Sequence, residues 1–268
     1  MLVSAAVCPS PPLLVPAVAA GAAPELDGAR AACADALGVL AAARPDRLVV
    51  VGPAERGAGG VEAHARGAVG SFRGFGVAVD VVLGAVGPGT AGPGGDGGTG
   101  DGGTEGADRR PGSERGDRSP GRALPSSLAV AAWLLGHVRW SAAPVSGLAV
   151  DPTLATDRCV LAGREIAAGA DRVALLVMGD ASACRTLKAP GYLDDRAAGF
   201  DASVAAALAA ADVAALTALD VAAASELKAA GRAPWQVLAG AAEGAGLESA
   251  LLYEDAPYGV GYFVAAWS

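Results

Sequence analysis

Histidine is nearly missing from this chain: His64 and His137 are the two it holds in 268 residues, so few imidazoles exist to bind a metal or move a proton. Lysine is as scarce. Two lysines stand against 18 arginines within a net charge of −8, and no basic cluster is long enough to follow a phosphate backbone. Nucleic acid is therefore not an expected partner. No apolar run reaches the roughly 18–20 residues of a bilayer-crossing helix. The apolar opening has no positively charged lead and is cut by Pro9, so it does not read as a secretory signal. The expected compartment is the cytoplasm, with no membrane partner. Cys8, Cys33, Cys159 and Cys184 lack C-x-x-C spacing, and in a reducing compartment they read as free thiols.

What the chain does have is apolar mass, 52% hydrophobic residues against 18% charged, enough for a buried core. Its organising stretch is Leu2–Pro16, where a strand-like run meets four prolines in nine residues. Pro9, Pro11, Pro12 and Pro16 fix φ near −65° and remove backbone donors, so the strand over 2–7 must stop and the loop after it is stiff. Such a loop at a strand's carboxyl end is where open α/β sheets place ligands, and here it carries Cys8 and Ser10.

Farther along, Pro24 and Glu25 open a predicted helix in which Leu26, Cys33, Leu37 and Leu40 recur at near-helical spacing up to Arg44-Pro45. Arg47–Val51 is a short, β-branched apolar run ended by Gly52-Pro53, as expected of a strand buried on both faces. Ala54–Gly70 reads as a loop carrying His64, and Gly76–Leu83 as a strand. Gly87–Gly121 holds fourteen of the 39 glycines and no Val, Leu, Ile, Met or aromatic residue, leaving nothing to bury against the entropy of ordering. It reads as a disordered insertion within one domain spanning 1–268, since strands and helices alternate as one series on both sides.

Pro125-Ser126-Ser127 starts a predicted helix to about His137, and Val145–Val150 is a strand. Asp151-Pro152 reads as the N-cap and first residue of a helix to about Ala168, with Gly169 at its end. Arg172–Met178 is the most apolar candidate for a central strand. Phe200–Gly246, broken by Asp212, Asp220 and Pro234, reads as three or four helices. Leu247–Glu254 and Gly259–Trp267 close the chain as two strands joined by a short turn. The expected fold is α/β, a three-layer α/β/α sandwich around a central mixed, mostly parallel sheet.

Three loops leave strands expected to be central, after Cys8, Gly52 and Gly179. If those strands are parallel the loops share one rim, where Asp180, Ser182, Arg185 and Lys188 form a dense polar group. One reading is a pocket for a small anionic or hydroxylated ligand held by Arg185 and Lys188. The other is a solvated loop with an Asp180–Arg185 or Asp180–Lys188 pair. A nucleophilic Ser10 or Ser182 needs a base within hydrogen-bond reach, and His64 in a loop and His137 in a helix are unpromising for that role. Cys8 and Cys184 read as small core residues, and Glu226 as an exposed helical carboxylate. The glycines near Gly59 do not join a strand to a helix, so no phosphate-binding fingerprint is present.

Several segments resemble, in their shared order, the B-subunit type of class III extradiol ring-cleavage dioxygenases, the superfamily that also contains the Memo proteins. They are Cys8-Pro9-Ser10-Pro11-Pro12, Gly179-Asp180-Ala181-Ser182-Ala183, Ala189-Pro190-Gly191-Tyr192 with Phe200-Asp201, and Tyr253–Tyr262. The resemblance covers nearly all the chain apart from the glycine insertion. It implies that fold, and in active relatives Cys-Pro-His-Pro-Pro, a Pro-His-Gly-like turn and Gly-Asp-Leu-Ser-His, whose first two histidines and a glutamate bind iron while the third moves a proton. This chain has Ser10, Gly52-Pro53-Ala54 and Ala183 in those places; Glu226 alone matches. Fe(II) oxygenases need two imidazoles and a carboxylate on one face, so His64 and His137 would both have to fold in to restore the set.

The leading expectation is a dioxygenase-like protein with its iron-binding histidines lost, needing no cofactor, whose cleft binds a small molecule or a partner. That cleft would be lined by Cys8, Ser10, Pro53, Asp180, Ser182, Arg185, Lys188 and Glu226, the last being the sole surviving metal-ligand candidate. An alternative is an enzyme, either with Fe(II) on unusual ligands or using Cys8, Asp180, Cys184 and Glu226 for other chemistry. A further alternative is a structural homodimer, since relatives often associate.

Overall fold

Strands that read as continuous apolar runs are buried on both sides. The computed structural model describes residues 1–55, 57, 59–84 and 123–268; the segment 87–121, expected to be a disordered insertion, lies outside them. In chain order the elements begin with β1 (Leu2–Cys8), α1 (Pro16–Ala19), α2 (Asp27–Ala42), β2 (Arg47–Pro53), β3 (Val61–His64), β4 (Val69–Ser71) and β5 (Asp80–Val82). After the undescribed segment come α3 (Ser126–His137), β6 (Val145–Val150), α4 (Thr156–Ala168) and β7 (Val173–Met178). The chain ends with α5 (Arg196–Ala209), α6 (Val213–Thr217), α7 (Val221–Glu226), α8 (Arg232–Ala242), β8 (Ser249–Asp255) and β9 (Tyr262–Trp267).

The main sheet runs β3-β6-β2-β7-β1-β9-β8. Its centre is parallel, β6 with β2, β2 with β7 and β7 with β1, while β3, β9 and β8 join antiparallel at the two flanks. The architecture is thus α/β, with a large mixed, mostly parallel sheet flanked by helices. Alternation along the central strands divides the core. Ala6, Cys8, Leu48, Val50, Leu176 and Met178 pack with α2 and α3 residues such as Leu37 and Leu128. Val7, Val49, Val51, Leu175 and Val177 pack on the other face with Cys159 of α4, Val204 of α5 and Leu238 of α8. A register irregularity between Leu2 and Ser4 lets Leu2 share the face of Ala5 and Val7.

Sequence expectations fail mainly at the periphery. His64 lies in edge strand β3, not in a loop, because β3 pairs with β6 through Val61–Val150 and His64–Gly147. The expected strand over 76–83 contracts to β5, which forms a separate two-stranded ribbon with β4. Asp151 does not cap α4, which begins at Thr156 with Ala155 before it. Its carboxylate accepts instead from Thr153 N, Thr153 Oγ1 and Gly59 N at 2.8, 2.7 and 3.0 Å, which fixes a turn ahead of the helix. Gly169 ends α4 at φ −75°, an ordinary helical value and not the left-handed one. Asp212 and Asp220 do cap helices, accepting from Ala215 N and Ala223 N.

Two glycines set how closely α4 and α8 cross. A Cβ at Gly163 would stand 2.0 Å from the Val237 carbonyl oxygen, and one at Gly240 would stand 2.1 Å from that of Val160. The backbones touch, and no side chain fits between them. Gly163→Ala should therefore cost about 3 kcal/mol in urea unfolding. Gly38→Ala, in α2 with open space at its Cβ, should gain roughly 0.5–1 kcal/mol.

Candidate functional site

β1, β2, β6 and β7 run parallel, so their carboxyl ends share one rim. Beyond it, the chain from β1 passes to α2 on one face, while the chain from β7 passes to α5 on the other. Adjacent strands whose continuations part in this way leave a crevice between them. Pro9-Ser10-Pro11-Pro12 forms one lip. Three of those four residues lack an N–H, so Ser10 supplies the segment's backbone donor. That donor is given to Asp180 Oδ1 at 2.8 Å, and Ser10 Oγ makes a long contact of 3.5 Å to Oδ2.

Gly179-Asp180 forms the other lip. Gly179 N donates to Cys8 O at 3.0 Å, and Gly231 N donates to Asp180 O at 2.8 Å. A Cβ on Gly179 would lie 2.4 Å from Gly231 Cα, so glycine is required where the chain entering α8 meets the end of β7. Ser10 is 7% exposed and Asp180 half-buried. Burial pushes the Asp180 carboxyl up to about 6, against the hydrogen bonds from Ser10 that lower it. Tyr262, 2% exposed at the start of β9, is pushed up first by burial and then by the negative charge of Asp180.

Ser182 and Arg185 belong to a second cluster centred on Asp201 of α5. Ser182 donates through N and Oγ to Asp201 at 2.8 and 2.9 Å, and Arg185 Nη1 reaches Asp201 Oδ2 at 2.9 Å. Asp201 is fully buried and bonded by all three donors, so it works as a tie holding the loop after β7. Neither the Asp180–Arg185 nor the Asp180–Lys188 pair forms. Arg185 is held by Asp201, and Lys188 lines an open cleft of about 490 Å³ with Thr186, Leu187, Pro257, Tyr258 and Gly259.

The other candidates lie apart from this crevice. Cys8 is buried in the core, and its thiol is raised well above the ordinary value by a hydrogen bond with Cys33 and by burial. Cys184 is buried, donates to Leu227 O at 3.5 Å and is raised chiefly by burial. Raised thiols hold little thiolate and make poor nucleophiles. Pro53 O accepts from Ser127 Oγ of α3 at 2.7 Å. Glu226 is exposed at the end of α7, as its helical pattern suggested, and pairs with Arg196 at 2.7 Å.

These side chains do not fit Fe(II). Ser10 Oγ is turned to Asp180, Ala54 and Ala183 offer no side-chain donor, and the Glu226 carboxylate is committed to Arg196. His64 stands on β3, separated from β7 by β6 and β2. His137 ends α3 ten residues beyond Ser127, about 15 Å along the axis from the rim, stacked on Trp133. Among the described residues, no three His, Cys, Asp or Glu side chains gather as a metal site, and no helix is long and apolar enough to cross a membrane.

Reading the sequence for sites missed Asp201 and Tyr262. Both stood within the quoted segments, but nothing local tells that Asp201 folds back beneath Ser182 or that Tyr262 comes up beside Asp180.

No protein-family model matches the chain, and no curated protein does. Among solved structures it is similar to the uncharacterized protein JW3007 from Escherichia coli K12, at 14% identity and a TM-score of 0.50, with 99% of each chain covered. That likeness shows the fold.

The folded state holds the Asp180 proton more tightly than an unfolded chain with its ordinary value of 3.8, so this group's stabilising contribution is present below 3.8 and lost as pH rises through about 6. Asp180→Asn keeps an acceptor for Ser10 N–H and removes the charge. Its stability relative to wild type, from urea midpoints, should rise by about 1–2 kcal/mol between pH 4 and pH 8. A difference that stays constant with pH would contradict the buried-carboxyl assignment.

Proposed function

We propose that this chain binds a small molecule at the β1–β7 crevice of a three-layer α/β/α sandwich of the extradiol dioxygenase B-subunit type, without the iron centre of active relatives. The observation that carries the reading is the Ser10–Asp180 contact, a half-buried carboxyl fixed at the point where two parallel strands send their chains to opposite faces. Tyr262, buried at the start of β9, feels the negative charge of the same carboxyl. Ser182, Arg185 and Asp201 stiffen the adjoining loop, so the walls exist before a ligand arrives. Hydroxylated compounds suit such a floor, since a hydroxyl can donate to the Asp180 carboxylate.

A second reading is acid–base catalysis at Asp180. It is favoured by the position of that carboxyl at about 6, where it exchanges a proton readily near neutrality.

Protein loaded anaerobically with Fe(II) and desalted should retain substoichiometric iron and leave catechol unconsumed in air. Catechol, tested with a panel of other small hydroxylated compounds, should shift the amide NMR signals of Ser10 and Asp180 in a saturable way. Stoichiometric iron with catechol-dependent oxygen uptake would overturn the reading, as would a panel that leaves both signals unmoved. Proton exchange or isomerisation of a bound compound, lost in Asp180→Asn, would favour the second reading.

A further inference from the structure

Four cations stand from Ser182 through Lys228, and three are engaged. Arg185 is held by Asp201 at 2.9 Å, Arg196 by Asp194 and Glu226 at 2.8 and 2.7 Å, and Lys228 Nζ by the Pro190 carbonyl at 3.1 Å. Lys188 has no hydrogen-bonded or ionic partner among the described residues. It stands beside the cleft of about 490 Å³ whose other walls are Thr186, Leu187, Pro257, Tyr258 and Gly259. The lining joins one cation and the Thr186 side chain to the apolar surfaces of Leu187, Pro257 and the Tyr258 ring.

The walls are set by the backbone. Arg185 N donates to Gly259 O at 3.0 Å, Ala189 N to Thr186 O at 3.1 Å and Gly191 N to Ala183 O at 2.8 Å. Gly259 holds φ +73°, and a Cβ there would meet Ala189 Cβ and Thr186 Oγ1 at 2.6 Å, so the turn and the loop are locked at contact distance. Tyr192 and Lys228, both non-glycine, sit at φ +66° and +57°, strained values that the surrounding bonds maintain. The cleft is therefore a preorganised feature and not the momentary shape of a slack loop.

We infer that this cleft takes the anionic end of a ligand with an apolar body, a monocarboxylate of an aryl or branched alkyl group, its carboxylate at Lys188 Nζ and its body between Leu187, Pro257 and the Tyr258 ring. The inference rests on the reading of the rim as a small-molecule site and adds its ligand class. A second acidic group on the ligand is disfavoured. The Glu25 carboxylate faces Tyr258 and repels negative charge at that end, which orients a monoanion with its charge toward Lys188. The rest of the protein, at net −8, does not attract anions by its overall field, so selection falls to this local pair of cation and apolar wall.

The chain has two lysines, which makes the test direct. Reductive ¹³C-dimethylation keeps their charge and gives separate signals for Lys188, Lys228 and the N-terminus, assigned with Lys188→Arg and Lys228→Arg. Benzoate should move the Lys188 signal in a saturable way and leave the Lys228 signal in place. Acetate, which lacks the apolar body, and benzamide, which lacks the charge, should bind about tenfold more weakly or worse. Lys188→Met should weaken benzoate about tenfold, read by the Gly259 amide, with the catechol-induced shifts at Ser10 and Asp180 unchanged. Equal movement of both lysine signals, or acetate as effective as benzoate, would overturn the inference and mark Lys188 as an ordinary surface charge. If Lys188→Met leaves benzoate binding intact while the catechol shifts persist, the subsite falls and the rim reading stands; loss of the catechol shifts in wild type is the separate failure of that reading.

Discussion

β1 and β7 lie side by side and parallel, yet the chain leaves β1 toward α2 and leaves β7 toward α5 on the opposite face. Backbone cannot fill the gap that opens where the two continuations separate. The prolines after Cys8 sharpen the constraint, because in Pro9–Pro12 the Ser10 N–H is the donor available to close it. Asp180, the second residue past β7, supplies the acceptor. The rest of the candidate site is arranged around this bridge. Gly179 admits the chain entering α8, Gly231 N holds the Asp180 carbonyl, and β9 brings Tyr262 alongside.

Two aspartates on neighbouring segments show how environment divides labour between identical groups. Asp201 is sealed and receives donors from Ser182 N, Ser182 Oγ and Arg185, a satisfied carboxylate whose work is to hold a loop. Asp180 is half-buried, and among the described residues its carboxyl is bonded by Ser10 alone, with no cation against it. Burial without a compensating charge is what raises its affinity for a proton. The first arrangement leaves no acceptor free, whereas the second leaves a carboxyl that a ligand donor could reach. The cation for an anionic ligand lies further out, at Lys188, because Arg185 is already spent on Asp201.

The central strands were legible because burial on both faces demands continuous β-branched and apolar residues, a pattern visible over 47–51 and 172–178 without any partner. Edge strand β3 was not legible. Val61-Glu62-Ala63-His64 has a short, weak pattern, and its extended form is imposed by the ladder to β6. Asp151 misled for a related reason: a cap-like residue before proline was satisfied by Thr153 and by Gly59, which lies 92 positions earlier. At the site, a shared rim for the loops after β1 and β7 followed from parallel strands, but the bond of Ser10 to Asp180 did not, since the pattern offered Arg185 or Lys188 as the partner of Asp180. The grouping of Asp201 with Ser182, and the commitment of Glu226 to Arg196, depend on how α5 and α7 pack, which no local pattern announces.

The central claim is that the strand parting holds a half-buried carboxyl with Ser10 as its direct partner. The most direct measurement is a ¹³C NMR titration of the Asp180 side-chain carboxyl in wild type and in Ser10→Ala. The account predicts a wild-type midpoint near 6, and a higher one in Ser10→Ala once the hydroxyl contact is gone. A midpoint at the ordinary 3.8 that ignores the serine substitution would place Asp180 in open solvent and contradict the account.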